Sequence, residues 1–95
     1  MLDVCHGHPA RGVAVELRAG GSVVASVMTD GDGRARVADS LAAGEYELVF
    51  AVGDYFGRRD FLDRVPVRFR IADPDAHYHV PLLVSPWAYS TYRGS

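Results

Sequence analysis

Apolar residues in this chain recur at a period of two, in short segments cut by turn residues. Val13, Val15 and Leu17 alternate with Ala14, Glu16 and Arg18, and Val65, Val67, Phe69 and Ile71 alternate with Pro66, Arg68 and Arg70. A period of two sends successive side chains to opposite faces of a strand, so each segment has one face suited to burial. About seven or eight such strands, spaced at roughly 8–12 residues, argue for an antiparallel β-sandwich.

The punctuation supports this. Gly7 to Gly12 is a turn, and Ala19-Gly20-Gly21 is a hairpin connection into a second strand from Ser22 to Thr29, with Val23, Ala25 and Val27 on one face. Asp30-Gly31-Asp32-Gly33 is a loop, followed by an expected short strand from Arg34 to Val37. Glu45 to Val52 is a strand with Tyr46, Leu48 and Phe50 inward. Only Gly53 to Arg64 lacks the alternation, and a short helix of about two turns is expected there. Asp73-Pro74-Asp75 is a further turn.

At 95 residues the chain is expected to be a single domain, 1–95, small enough that assembly or another staple commonly supplements its core. The single cysteine, Cys5, excludes an internal disulfide and fits a reducing compartment. No apolar run approaches the ~20 residues of a membrane helix, and the N-terminus lacks the basic flank and apolar stretch of a signal peptide. A cytoplasmic location is therefore expected, with no membrane partner. A net charge of -2 gives no pull toward nucleic acid.

The last segment, residues 77–95, carries most of the chemistry: HYHVPLLVSPWAYSTYRGS. Val80, Leu82 and Val84 alternate with His79, Pro81 and Leu83, Ser85-Pro86 is a turn, and Trp87, Tyr89 and Thr91 alternate with Ala88, Ser90 and Tyr92. If Trp87 and Tyr89 face the core, Ser90 and Tyr92 face outward with His79 and Leu83. Pro81 removes a ladder donor and belongs at an edge or bulge. On its residues alone, His79 is equally a solvated strand histidine or a general base. Paired with His77 it could also suggest zinc, but the only other pair, His6 and His8, lies in a turn, and no metal is expected. A calcium loop at Asp30 fails because Leu41 stands where the closing Glu is needed.

This closing segment resembles, nearly residue for residue, the C-terminal signature of 5-hydroxyisourate hydrolases, the transthyretin-related proteins of urate breakdown. The segment Thr29-x-x-Asp32-Gly33-Arg34 also resembles the family's T-x-x-DGR. The resemblance implies a transthyretin-like sandwich of two four-stranded sheets with one short helix. It implies hydrolysis of 5-hydroxyisourate without metal or organic cofactor, and a homotetramer, a dimer of dimers with sites in a channel between them. His79 and Arg34 would be catalytic. Arg34, Tyr92, Ser90, Arg93, Gly94 and Ser95 would hold the substrate.

One departure lies at the other end. The family opens near HVLD…G-x-PA-x-x-V, and Leu2, Asp3, Gly7, Pro9, Ala10 and Val13 match it, so Met1 falls on the Val. The family's catalytic His then falls one position before Met1. All ten basic residues are Arg, a skew that reads as high-GC coding, in which a GTG valine codon is open to being read as a start. The rival expectation is a non-catalytic, small-ligand-binding relative of transthyretin. A sandwich interaction module without a site is a third.

Overall fold

The computed structural model describes residues 1–94. Two four-stranded sheets face each other. The strands are β1 (Leu2–Asp3), β2 (His8–Pro9), β3 (Ala14–Ala19), β4 (Ser22–Met28), β5 (Gly44–Ala51), β6 (Arg64–Ile71), β7 (Leu82–Val84) and β8 (Tyr89–Thr91), with one helix, α1 (Val52–Phe56), between β5 and β6. The sheet orders are β2-β1-β7-β8 and β4-β3-β5-β6.

The alternating segments form the second sheet as expected. Val15 and Leu17 of β3, Leu48 and Phe50 of β5, and Val65 and Val67 of β6 point inward and meet Leu82 and Val84 of β7 in one core. The register places Leu17 opposite Leu48, and Leu48 opposite Val67, so the apolar faces align across three strands. Burial of such side chains contributes about 1.5–3 kcal/mol each before chain entropy is charged against it. Thr29 adds a polar clasp: its hydroxyl donates to the Ala10 carbonyl at 2.6 Å and accepts the Val13 amide at 2.9 Å.

Four local expectations are corrected. Arg34 to Val37 is not a strand, because the Asp30 carboxylate takes the amides of Asp32 and Arg34 at 2.9 and 3.0 Å and curls the chain into a loop. The helix covers five residues, ended by Gly57, whose amide donates back to the Gly53 carbonyl at 2.9 Å. Trp87 and Tyr89 are not core residues. Tyr89 shares a face with Val84, but β8 is the sheet edge and leaves it 44% exposed, while Trp87 lies in the Ser85–Ala88 turn before β8 and is 54% exposed. The Arg58 guanidinium lies 5.0 Å above the Trp87 ring instead. The sandwich is also not wholly antiparallel, since β1 runs parallel to β7. No hairpin joins those two strands, so turn geometry does not fix their direction.

Candidate active site

Arg34 and His79 line one cleft, of about 840 Å³, over the inner face of the β4-β3-β5-β6 sheet. Its floor includes Leu48 and Phe50, and its rim carries Met1, His77 and Val80. Both Arg34 and His79 are exposed to solvent. The volume lies within the ~300–1,000 Å³ range of small-ligand sites, and an apolar floor with a few polar groups is their usual composition.

Each side chain is placed by its own local device. Arg34 leaves the Asp30 loop, where its carbonyl accepts the Asp30 amide at 2.8 Å. The hydrogen bonds from the Arg34 and Asp32 amides hold the Asp30 carboxyl below its ordinary range. Gly33 turns the chain with φ 72° beneath the Met1 carbonyl, and a side chain there would also stand 3.1 Å from the Ala10 amide nitrogen. The Met1 amine donates to the Gly33 carbonyl. Burial lowers the affinity of that amine for its proton, and the Arg34 guanidinium adds to the effect. The start of β1 is thereby pinned to the Arg34 loop.

His79 precedes Pro81, which lacks a ladder N–H, and the regular pairing of β7 begins only at Leu82. A single bridge, His79 to Gly94, holds the strand before that point. Gly94 donates its amide to the His79 carbonyl at 2.7 Å.

The other expected site residues are not brought into this cleft within one chain. Tyr92 and Arg93 border a neighbouring cleft of about 340 Å³, with Phe69, Tyr78 and Val80. Phe69, Tyr78 and Val80 line both clefts. The Arg93 guanidinium carbon stands over the Tyr78 ring, 4.4 Å from its centroid, and the guanidinium donates to the His77 carbonyl at 3.1 Å. Ser90 pairs with Leu83 on the outer face of the first sheet, which Leu2 shares through its register with Leu83. Ser95 lies outside the described residues.

Two residues were given no role from the sequence. Tyr78, which lines both clefts, accepts the amides of Ala72 and Asp73 on its hydroxyl, each at 3.1 Å. Its place between His77 and His79 was the available signal. Asp3 is fully buried, and its carboxylate receives the Tyr55 hydroxyl at 2.7 Å, the His6 ring at 2.7 Å and the His6 amide at 2.9 Å. Burial opposes the Asp3 charge, but these hydrogen bonds outweigh it and hold its carboxyl below the usual range. Burial and the same contact push the Tyr55 phenol up to about 12.

The model of the HIUase/Transthyretin family matches residues 1–94. The chain belongs to that family. Among family relatives, the 5-hydroxyisourate hydrolase 2 of Rhizobium meliloti is 46% identical over 110 aligned positions, covering 100% of this chain and 92% of the relative. The Klebsiella pneumoniae 5-hydroxyisourate hydrolase superposes with a TM-score of 0.89 at 39% identity, over 99% of this chain and 93% of that one. Sea bream transthyretin, solved in complex with thyroxine, superposes at 0.81 with 30% identity, over 98% and 89% of the two chains. The transthyretin-like fold implied by the resemblance of the closing segment, and the sandwich expected from the alternating strands, are the fold observed.

Proposed function

We propose that this chain hydrolyses 5-hydroxyisourate to 2-oxo-4-hydroxy-4-carboxy-5-ureidoimidazoline, a step of urate breakdown. The observation that carries the proposal is the shared cleft. It joins an imidazole and a guanidinium over an apolar floor, in a chain whose full-length relatives include several 5-hydroxyisourate hydrolases.

The chemistry assigned to the cleft is the opening of a cyclic amide. His79 takes a proton from a water molecule, and the water oxygen bonds to a ring carbonyl carbon. The carbon–nitrogen bond then breaks, its electron pair stays on the nitrogen, and that nitrogen gains a proton while the carbon becomes a carboxylate. Arg34 presents its fork of N–H donors to the carbonyl edge of the heterocycle and to the oxyanion that develops there. The step requires no metal or organic cofactor. Gly94 supports the position of His79, and Ser90, Tyr92, Arg93 and Ser95 are proposed to complete the substrate's surroundings.

We further infer a homotetramer. The outer face of the β2-β1-β7-β8 sheet exposes Leu2 at 39%, and Tyr92, just beyond β8, is 60% exposed. Apolar side chains on an exposed sheet face favour association. Among the described residues no helix is long and apolar enough to cross a membrane, and a cytoplasmic location is part of the proposal.

The test is a coupled assay in which urate oxidase generates 5-hydroxyisourate in place and its ultraviolet decay is followed with and without the protein. Accelerated decay is expected. Unchanged decay from a folded tetramer would leave the ligand-binding reading instead, and light scattering on the same sample reports the assembly.

A further inference from the structure

The turn between β1 and β2 gathers Asp3, His6 and His8, with one potential ligating atom of each within 4.8 Å of the others. None of the three lines either cleft. We propose that this turn binds a divalent transition-metal ion, with Zn(II) as the fitting probe, through the Nε2 atoms of His6 and His8.

The hydrogen bonds fix which nitrogen is free. His6 Nδ1 lies 2.7 Å from Asp3 Oδ2, and an ionised carboxylate only accepts, so Nδ1 carries the proton. His8 Nδ1 lies 2.9 Å from the Pro9 carbonyl oxygen, which also only accepts. Both rings therefore turn an unprotonated Nε2 away from their supports. This is the arrangement that orients metal-binding histidines: a carboxylate behind one ring and a backbone carbonyl behind the other.

The turn also brings the rings together. The Gly7 amide donates to the Asp3 carbonyl at 2.8 Å and reverses the chain between the two histidines. The imidazoles stack with centroids 5.7 Å apart and planes 16° from parallel, and His6 also stacks on Phe56 of α1 at 6.4 Å. An ion held by both rings would satisfy the Nε2 lone pair of each. Both side chains are exposed and offer ligating atoms within 4.8 Å of one another, and shared coordination at ~2.0–2.1 Å would require the two nitrogens to close to about 3 Å. Imidazole suits Zn(II), Cu(II) and Ni(II), and water would complete the coordination. The ion would take no part in the hydrolysis, which the Arg34 and His79 cleft is proposed to carry.

Isothermal titration of the untagged, metal-free full chain with zinc chloride tests this. One Zn(II) per chain at micromolar Kd is expected. His6→Gln and His8→Gln should each weaken binding by about tenfold or more, while His77→Gln, in the other histidine pair, keeps it. Both turn substitutions replace exposed side chains, and an unchanged melting temperature of the metal-free variants reports an intact fold. Absence of saturable binding, or binding that survives His8→Gln but not His77→Gln, overturns the proposal. The coupled assay on His8→Gln reads separately, with unchanged turnover expected, so the fates of the metal site and of the hydrolase reading stay distinguishable.

Discussion

The His79 ring occupies the space that a side chain on Gly94 would fill. A Cβ built on Gly94 stands 2.7 Å from His79 Cγ and 3.0 Å from its Cβ, closer than packed atoms approach. The backbones of the two residues are bridged by the 2.7 Å hydrogen bond from the Gly94 amide. Gly94→Ala must therefore swing the imidazole out of its place or break that bridge. Turnover is expected to fall about 10²-fold, the scale of a misplaced catalytic group, with a small change in melting temperature. The coupled assay and a thermal melt on the same preparation check both halves.

His79→Ala removes the proposed base itself. A loss of ~10²–10⁴-fold in turnover is expected, with the assembly unchanged by light scattering. A variant that stays nearly fully active would remove His79 from the mechanism.

Arg34→Lys keeps the positive charge but loses the planar fork. If Arg34 binds the heterocycle through paired donors, kcat/KM should drop by roughly 10²–10³-fold. Equal activity would mean that charge alone matters at this position. The Asp30 loop is built on the backbone amide and carbonyl of residue 34, which the substitution retains, so the fold should persist.

The pair of Tyr55 and Asp3 predicts a two-sided pH dependence of stability. The Tyr55 phenol is raised to about 12 when folded, so its contribution is complete below the ordinary phenol value and is lost as pH climbs from about 10 toward 12. The Asp3 carboxyl is depressed, so its contribution is complete above about pH 4 and is lost as pH falls through its lowered folded value. Tyr55→Phe should remove the alkaline loss, weaken the acid arm and cost ~1–3 kcal/mol near neutrality, because buried Asp3 loses a donor. Denaturant melts across the pH range check this. An alkaline limb that survives in Tyr55→Phe would assign it to another group.

Much of the fold is legible in the sequence because local periodicity decides which way a strand side chain points. The alternation alone marks Val15, Leu17, Val65 and Val67 as buried faces, and the Gly20-Gly21 pair marks the turn between β3 and β4. Arg34 to Val37 reads as a strand because its alternation is real, but a strand also needs a partner, and the Asp30 carboxylate takes the amides of Asp32 and Arg34 instead. Tyr89 has the right parity and the wrong burial, since sequence shows which face a residue takes but not whether another sheet covers that face, and Trp87 falls in the turn before β8, where strand parity does not apply.

The sequence by itself determined the sandwich and the family, through period-two alternation and a long closing segment whose residues match in order. Through that family resemblance it also made an imidazole at position 79 and a guanidinium at 34 the candidate site groups. Only the tertiary structure decided that these two share a cleft, that Tyr92 borders a different one in the same chain, and that Asp3 sits buried between Tyr55 and His6. The reason is physical: local sequence sets each side chain's direction, whereas the meeting of distant segments is set by how two sheets close on a shared core, and that closure depends on every buried residue at once.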